Sequence, residues 1–197
     1  MKVSFERLVG PEYMYAAMRA TRGKDMTAKK MPSLETWQKM ILSEHSSHRA
    51  VKYRIYIEEI PYYSHVHLIR HHMGVEPHVY SQRDDTGKEE VTSRDSIPQG
   101  NPISMILDVN VQALITIARK RLCYKSHRQV QDFVEKLKCA LIYNGDDYDK
   151  VLGRLLMRPC SWYPGYCSEL KPCGRIPGVR TLHEIHVKVL EGLGDEK

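Results

Sequence analysis

Apolar and polar residues along this 197-residue chain follow two periods, and the points where the period changes divide it into elements. Val51, Tyr53, Ile55 and Ile57 alternate with Lys52, Arg54, Tyr56 and Glu58, which predicts a half-buried strand. Before it, Glu12 to Arg22 has helical spacing. SLETWQKMILSE predicts a second helix, with Ser33 as N-cap and Glu35 in the first turn. Pro61 suits the start of a further helix, PYYSHVHLIRHH, which Gly74 and Pro77 end. Ile103, Ile106, Leu107, Val111, Leu114, Ile115, Ala118 and Leu122 predict one long helix from Pro102 to Leu122. Two more helices are predicted, from Ser126 to Ile142 and from Asp146 to Met157. Residues 84–101 are polar with Gly and Pro and read as a surface loop, while RPCSWYPGYCSELKPCGRIPG reads as irregular.

Composition narrows the class without choosing a function. The chain is 42% apolar and 27% charged, which suits one soluble domain, or one with an appendage. No apolar run is long enough to span a bilayer, and MKVSFERLVGPEYMY lacks the apolar region of a signal peptide, so a cytoplasmic protein is expected. Five cysteines in a reducing compartment stay as thiols. A formal charge of +6 and a pI near 9.0 favour anionic partners, either a nucleic acid or small phosphorylated molecules.

The densest chemistry lies in HLIRHHMGVEPHVYSQRDD, residues 67–85, with four histidines, two arginines and an acid pair. His67 and His71 are four apart and could share a helix face as zinc ligands, but neither a third ligand nor the glutamate of H-E-x-x-H is fixed by the spacing. The other reading is a phosphate grip. Arg70 and Arg83 bracket the Gly/Pro break, Ser81 adds a hydroxyl, and guanidinium forks bind phosphate bidentately.

These residues resemble the signature of the flavin-dependent thymidylate synthases, R-H-R, seven residues, then S-x-R. Here the chain has Arg70-His71-His72, eight residues, then Ser81-Gln82-Arg83. EHSSHRAVKYRIYIEEIPYYSHVHLIRHH keeps the family's order of turn, strand, Ile-Pro step and signature helix. Arg94 stands four residues before Pro98, and Asn110 stands eleven before Arg121, both as in the family. The resemblance runs from about His45 to Leu137. On a helix, eleven residues complete nearly three turns and about 16 Å, so both side chains point one way, spaced for an elongated dinucleotide beside a nucleotide.

The resemblance implies an α+β fold with a small antiparallel sheet and several packed helices. It further implies a catalytic domain at residues 1–157 with a Cys/Pro/Gly-rich extension at 158–197, and a homotetramer with shared sites. It implies conversion of dUMP to dTMP, with methylenetetrahydrofolate as carbon donor, FAD as hydride carrier and NADPH as reductant. Ser81, Arg83 and Arg94 would then hold the nucleotide phosphate, with Gln82 among the residues that bind the nucleotide. His67 occupies the position of a glutamine near the nucleotide, and Arg121 would stabilise charge on the pyrimidine. Arg70, His71, His72 and Asn110, with His48, would hold the flavin. His72 departs from the family's arginine and loses its fork, and Val79 replaces a glutamate.

Two rivals and one addition stay open. The departures motivate a relative that hydroxymethylates dUMP or dCMP, and ARKRLCYKSHR motivates a nucleic-acid binder, although a basic helix end is also favoured by the dipole. Cys160, Cys167 and Cys173 could bind structural zinc with a fourth ligand from elsewhere, or serve as free thiols.

Overall fold

In the computed structural model, which describes residues 1–27, 30–80 and 94–192, four strands form one antiparallel sheet. These are β1 (Lys2–Val9), β2 (Lys52–Pro61), β3 (Val75–Val79) and β4 (Pro102–Asn110), in the order β1-β2-β4-β3. Tyr53, Ile55 and Ile57 of β2 turn to one face with Ile103, Met105, Leu107 and Val109 of β4, all buried. That face meets the helices α1 (Pro11–Ala20), α2 (Leu34–Leu42), α4 (Val111–Arg121), α5 (Arg128–Asn144) and α6 (Asp147–Leu155) in a single core, through Met14, Trp37, Leu114, Phe133 and Leu152. On the other face Arg54 grips Asp108 across the β2–β4 pair, with Nε and Nη2 donating to the two carboxylate oxygens at 2.7 and 2.6 Å. The α+β expectation is met.

Three elements differ from the sequence reading. The long helix predicted from Pro102 to Leu122 is strand β4 followed by helix α4, joined at Asn110. Ile106 lies on the far face of β4; its chance spacing from Ile103 and Leu107 imitated a helix, whereas Met105 and Val109 complete the period of two. The helix expected from Pro61 to His72 is α3 (Tyr62–Ile69), with Pro61 as N-cap. Val75 to Val79 then form β3, unpredicted because Pro77 argues against a strand; on an edge its missing N–H costs no ladder bond. Strand β1 was also not predicted, although Val3, Phe5 and Arg7 alternate with Lys2, Ser4 and Glu6.

Beyond α6 the chain forms α7 (Pro159–Trp162), the two-residue parallel strands β5 (Tyr166–Cys167) and β6 (Arg180–Thr181), and α8 (Leu182–Gly192). The sequence reading of 158–178 as irregular thus missed the short α7 and β5; the rest of that segment is irregular, as its Pro and Gly content predicts. Among the described residues no helix is long and apolar enough to cross a membrane.

A buried polar network ties β1 and β2 to α6. Tyr53 donates to Asp149 Oδ1 at 2.7 Å, and Arg7 donates to the same oxygen at 2.9 Å and to Asp146. Burial pushes the Asp149 carboxyl up and, with Asp149 beside it, the Tyr53 phenol well up, while the bond from Arg7 holds Asp146 at about 2. Arg7→Met strands the Asp149 charge beside the core and should cost about 3–5 kcal/mol in urea unfolding. Tyr53→Phe, which removes one hydrogen bond, should cost about 1–2 kcal/mol. Equal effects from the two would contradict a network organised by charge.

Candidate active site

The ends of three strands meet at one edge of the sheet. Asn110 N–H donates to the Gly74 carbonyl at 3.0 Å, and Val111 N–H donates to the Val51 carbonyl at 3.1 Å. This joins the residues before β2, the turn before β3 and the start of α4. Around the junction lies a cavity of about 390 Å³, lined by Arg49, Arg70, His71, His72, Asn110, Gln112 and Thr116. Gly74 lines it too, with φ +75°. A Cβ there would stand 2.3 Å from Asn110 Nδ2, so conformation and contact both require glycine.

Asn110 is the N-cap of α4, its Oδ1 accepting from Ala113 N–H at 2.9 Å. Arg121 is the last residue of the same helix, so the eleven-residue spacing does run along one helix. Its guanidinium turns back to the end of α3: Nε donates to His71 Nε2 at 3.0 Å and Nη2 to the His67 carbonyl at 2.6 Å. Because His71 Nε2 accepts, its proton sits on Nδ1. Burial, with Arg121 adding, pulls His71 down to about 4, so the imidazole is neutral at pH 7.

The pairing of the arginines separates structural from available charge. Arg7, Arg54 and Arg119 each bind a carboxylate. Arg121 binds only neutral acceptors, and Arg49 and Arg70, both exposed, ion-pair with no carboxylate among the described residues. Among the described residues, Arg49 and Arg70 at the junction and Arg121 at the far end of α4 thus keep uncompensated charge, which suits an anion.

The remaining predicted residues have mixed placements. His72 is exposed and its Nδ1 donates to the Arg70 carbonyl at 3.0 Å, leaving Nε2 outward. His67 is half-buried and stacks on His127 at 5.9 Å with an 11° interplanar angle. His48 is fully buried. Gln112 donates to Glu44 at 2.8 Å and so presents Oε1 to His48 Nε2, also at 2.8 Å. His48 therefore stands behind the cavity wall and reaches it only through Gln112. Burial pushes Glu44 up, but bonds from Arg119, Gln112 and Tyr163 outweigh it and hold the carboxyl at about 2. Ser81, Gln82 and Arg83 lie outside the described residues, as does the Arg94 side chain; the Arg94 backbone begins a 3₁₀ turn before β4.

Arg49, Gln112 and Thr116 were not singled out from the sequence, and Gly74 only as a helix end. Arg49 follows His48 directly and Gln112 is two residues past Asn110, but neither position carries a periodic signal. As the side chains stand, no group of three or more His, Cys, Asp or Glu is placed to hold a metal among the described residues. His71 Nε2, one of the nitrogens a zinc site here would use, is taken by Arg121.

The pairing of Arg121 with His71 has a pH signature. A folded pKa near 4, below the ordinary value of 6.5, means the unfolded chain takes up its proton first as pH falls. The stabilisation is complete above about 6.5 and disappears as pH drops through about 4. The His71 ring should titrate near 4 by NMR, and Arg121→Ala should move it upward. A midpoint near 6.5 in the parent protein would contradict the hydrogen bond.

No protein-family model matches the sequence, and no curated protein matches it. Solved structures do match. The chain is similar to the flavin-dependent thymidylate synthase ThyX from Helicobacter pylori complexed with FAD and dUMP, with TM-score 0.56 and 13% identity over 72% of this chain and 94% of that one. A second structure of ThyX from Helicobacter pylori with FAD and dUMP gives TM-score 0.63 and 14% identity over 79% of this chain and 99% of that one. The UMP/dUMP methylase PolB from Streptomyces cacaoi, bound with 5-Br dUMP, gives TM-score 0.55 and 12% identity over 78% and 94%. The chain has the α+β fold of the flavin-dependent thymidylate synthases.

Proposed function

We propose that the chain methylates dUMP to dTMP, with methylenetetrahydrofolate as carbon donor, FAD as hydride carrier and NADPH as reductant. The observation that carries this reading is the pair of guanidinium groups, Arg49 and Arg70, that line the cavity at the end of β4 with no carboxylate partner among the described residues, in a fold whose solved neighbours hold FAD and dUMP.

The residues at the junction fit a flavin dinucleotide. Arg49 and Arg70 offer two forks to its diphosphate, Gly74 lets a ligand approach the backbone, and His71, His72 and Asn110 line the same cavity. Bound there, reduced flavin supplies the hydride that completes the methyl group. Arg121, fixed by His71 and the His67 carbonyl, stabilises negative charge on the pyrimidine oxygens as carbon 5 becomes nucleophilic. A neutral His71 suits this role, since it accepts from Arg121 without adding positive charge. Ser81, Arg83 and Arg94 hold the nucleotide phosphate, Gln82 is among the residues that bind the nucleotide, and His67 lies near the base. Met73, which lines the cavity, is 85% exposed, and an exposed apolar side chain beside the site suits a homotetramer with shared sites.

His72 supports a second reading, a relative that hydroxymethylates dUMP or dCMP, because an imidazole tied to the Arg70 carbonyl forms no fork. Nucleic-acid binding is less well supported. Arg119 and Arg121 of the basic stretch are committed to Glu44 and to His71.

With FAD, NADPH, folate and dUMP labelled with tritium at carbon 5, the protein should release tritium, and mass spectrometry should show dTMP. Arg121→Ala should slow release about 10²–10³-fold while circular dichroism stays unchanged. Near-normal release from that variant would refute the role of Arg121. A hydroxymethylated product would favour the second reading.

A further inference from the structure

Four of the five cysteines face one small cavity away from the candidate active site. Cys123 lies just past the C-terminal end of α4, Cys160 in α7, Cys167 in β5 and Cys173 in the irregular segment that follows. They surround a space of about 20 Å³, room for a single atom or water. Cys167 is buried, Cys123 and Cys160 are half-buried and Cys173 is exposed; none forms a disulfide.

The stretch after Cys167, which carries Cys173, has little apolar burial of its own: from Ser168 to Arg180 no residue is buried, and Leu170 is 91% exposed. The backbone nevertheless follows a defined path through Gly165, Gly174 and Gly178, each at positive φ, back to the end of α4. There Arg158 Nε donates to the Leu122 carbonyl at 3.1 Å, Lys125 donates to the Lys171 carbonyl, and Arg158 and Arg175 both lie against Tyr124. A metal ion bound by side chains on this stretch and at the end of α4 would add to these contacts in holding that path. The thiols are not gathered into coordinating geometry as they stand.

We infer that Cys123, Cys160, Cys167 and Cys173 bind one structural zinc ion, which draws the four sulfurs inward and clamps the C-terminal extension to α4. Four thiolates around one small space suit tetrahedral zinc. Each ligand gives up its thiol proton on binding. The sequence offers Cys160, Cys167 and Cys173 without a CxxC pair; the fold supplies the missing fourth sulfur from Cys123, which is 37 residues upstream of Cys160. Cys123 is also two residues beyond Arg121, so the clamp would fix the helix end that aims that guanidinium.

The full chain, expressed with zinc and purified under reducing conditions without chelator, should contain one zinc per chain by elemental analysis. Cobalt substituted for zinc should give the thiolate charge-transfer bands and intense visible bands of a tetrahedral sulfur site. Cys123→Ser and Cys173→Ser should each lower the metal content, while Cys139→Ser, on α5 and away from the cavity, should leave it at one. Cys173 is exposed, so its variant remains informative if Cys123→Ser fails to fold. A ratio near zero in the parent chain, iron in place of zinc, cobalt spectra without thiolate bands, or unchanged metal in Cys173→Ser would each overturn the inference. None of these readouts depends on turnover, so the zinc site and the proposed reaction stand or fall separately.

Discussion

The register of β4 is the constraint on which the candidate site depends. Val109 pairs with Tyr53 on one side and with Val75 on the other, and Asn110 follows at the point where three chain segments meet. A slip of one residue would turn Ile103, Met105, Leu107 and Val109 to solvent and carry Asn110 away from Gly74. The apolar alternation that builds the core is therefore the same feature that brings Arg49, His71 and Gln112 to one cavity. The Arg54–Asp108 fork across the same pair of strands reinforces that register from the solvent face.

Electrostatics then divides the basic residues by task. Arginines that hold the fold are neutralised by carboxylates, as Arg7 is by Asp146 and Asp149, and Arg119 by Glu44. Among the described residues, Arg49 and Arg70 at the junction and Arg121 at the far end of α4 are not. Arg121 is oriented by a neutral imidazole and a carbonyl, which fixes its direction without cancelling its charge. Burial beside His71 lowers the local dielectric and strengthens whatever charge–charge contact a ligand makes there. A cation held in a fixed direction by neutral partners is an arrangement prepared for an anion before it arrives.

Much of this was legible in the chain. The alternation at Val51–Ile57, the Ser33 cap and the helices around Ser126–Ile142 and Asp146–Met157 needed only local rules, and α2, α5 and α6 formed close to the expected limits. The change of period at Asn110 was not seen, because Ile103, Ile106 and Leu107 mimic a helix and only pairing with β2 and β3 makes the segment a strand. Strand β3 was hidden by Pro77, whose tolerance depends on an edge position that tertiary structure alone decides. At the site, the signature residues Arg70, His71 and His72 do gather with Asn110 at one cavity. His48 stands behind Gln112, and Arg49 and Gln112 enter through topology, which no short motif encodes.

The account turns on whether the cavity at the end of β4 holds a flavin beside a pyrimidine nucleotide. A crystal structure of the chain grown with FAD and dUMP tests this most directly. The account predicts flavin density against His71, His72 and Gly74, and the uracil within hydrogen-bond reach of Arg121. Both ligands absent from that cavity, with Arg121 still turned to His71 and the His67 carbonyl, would contradict it.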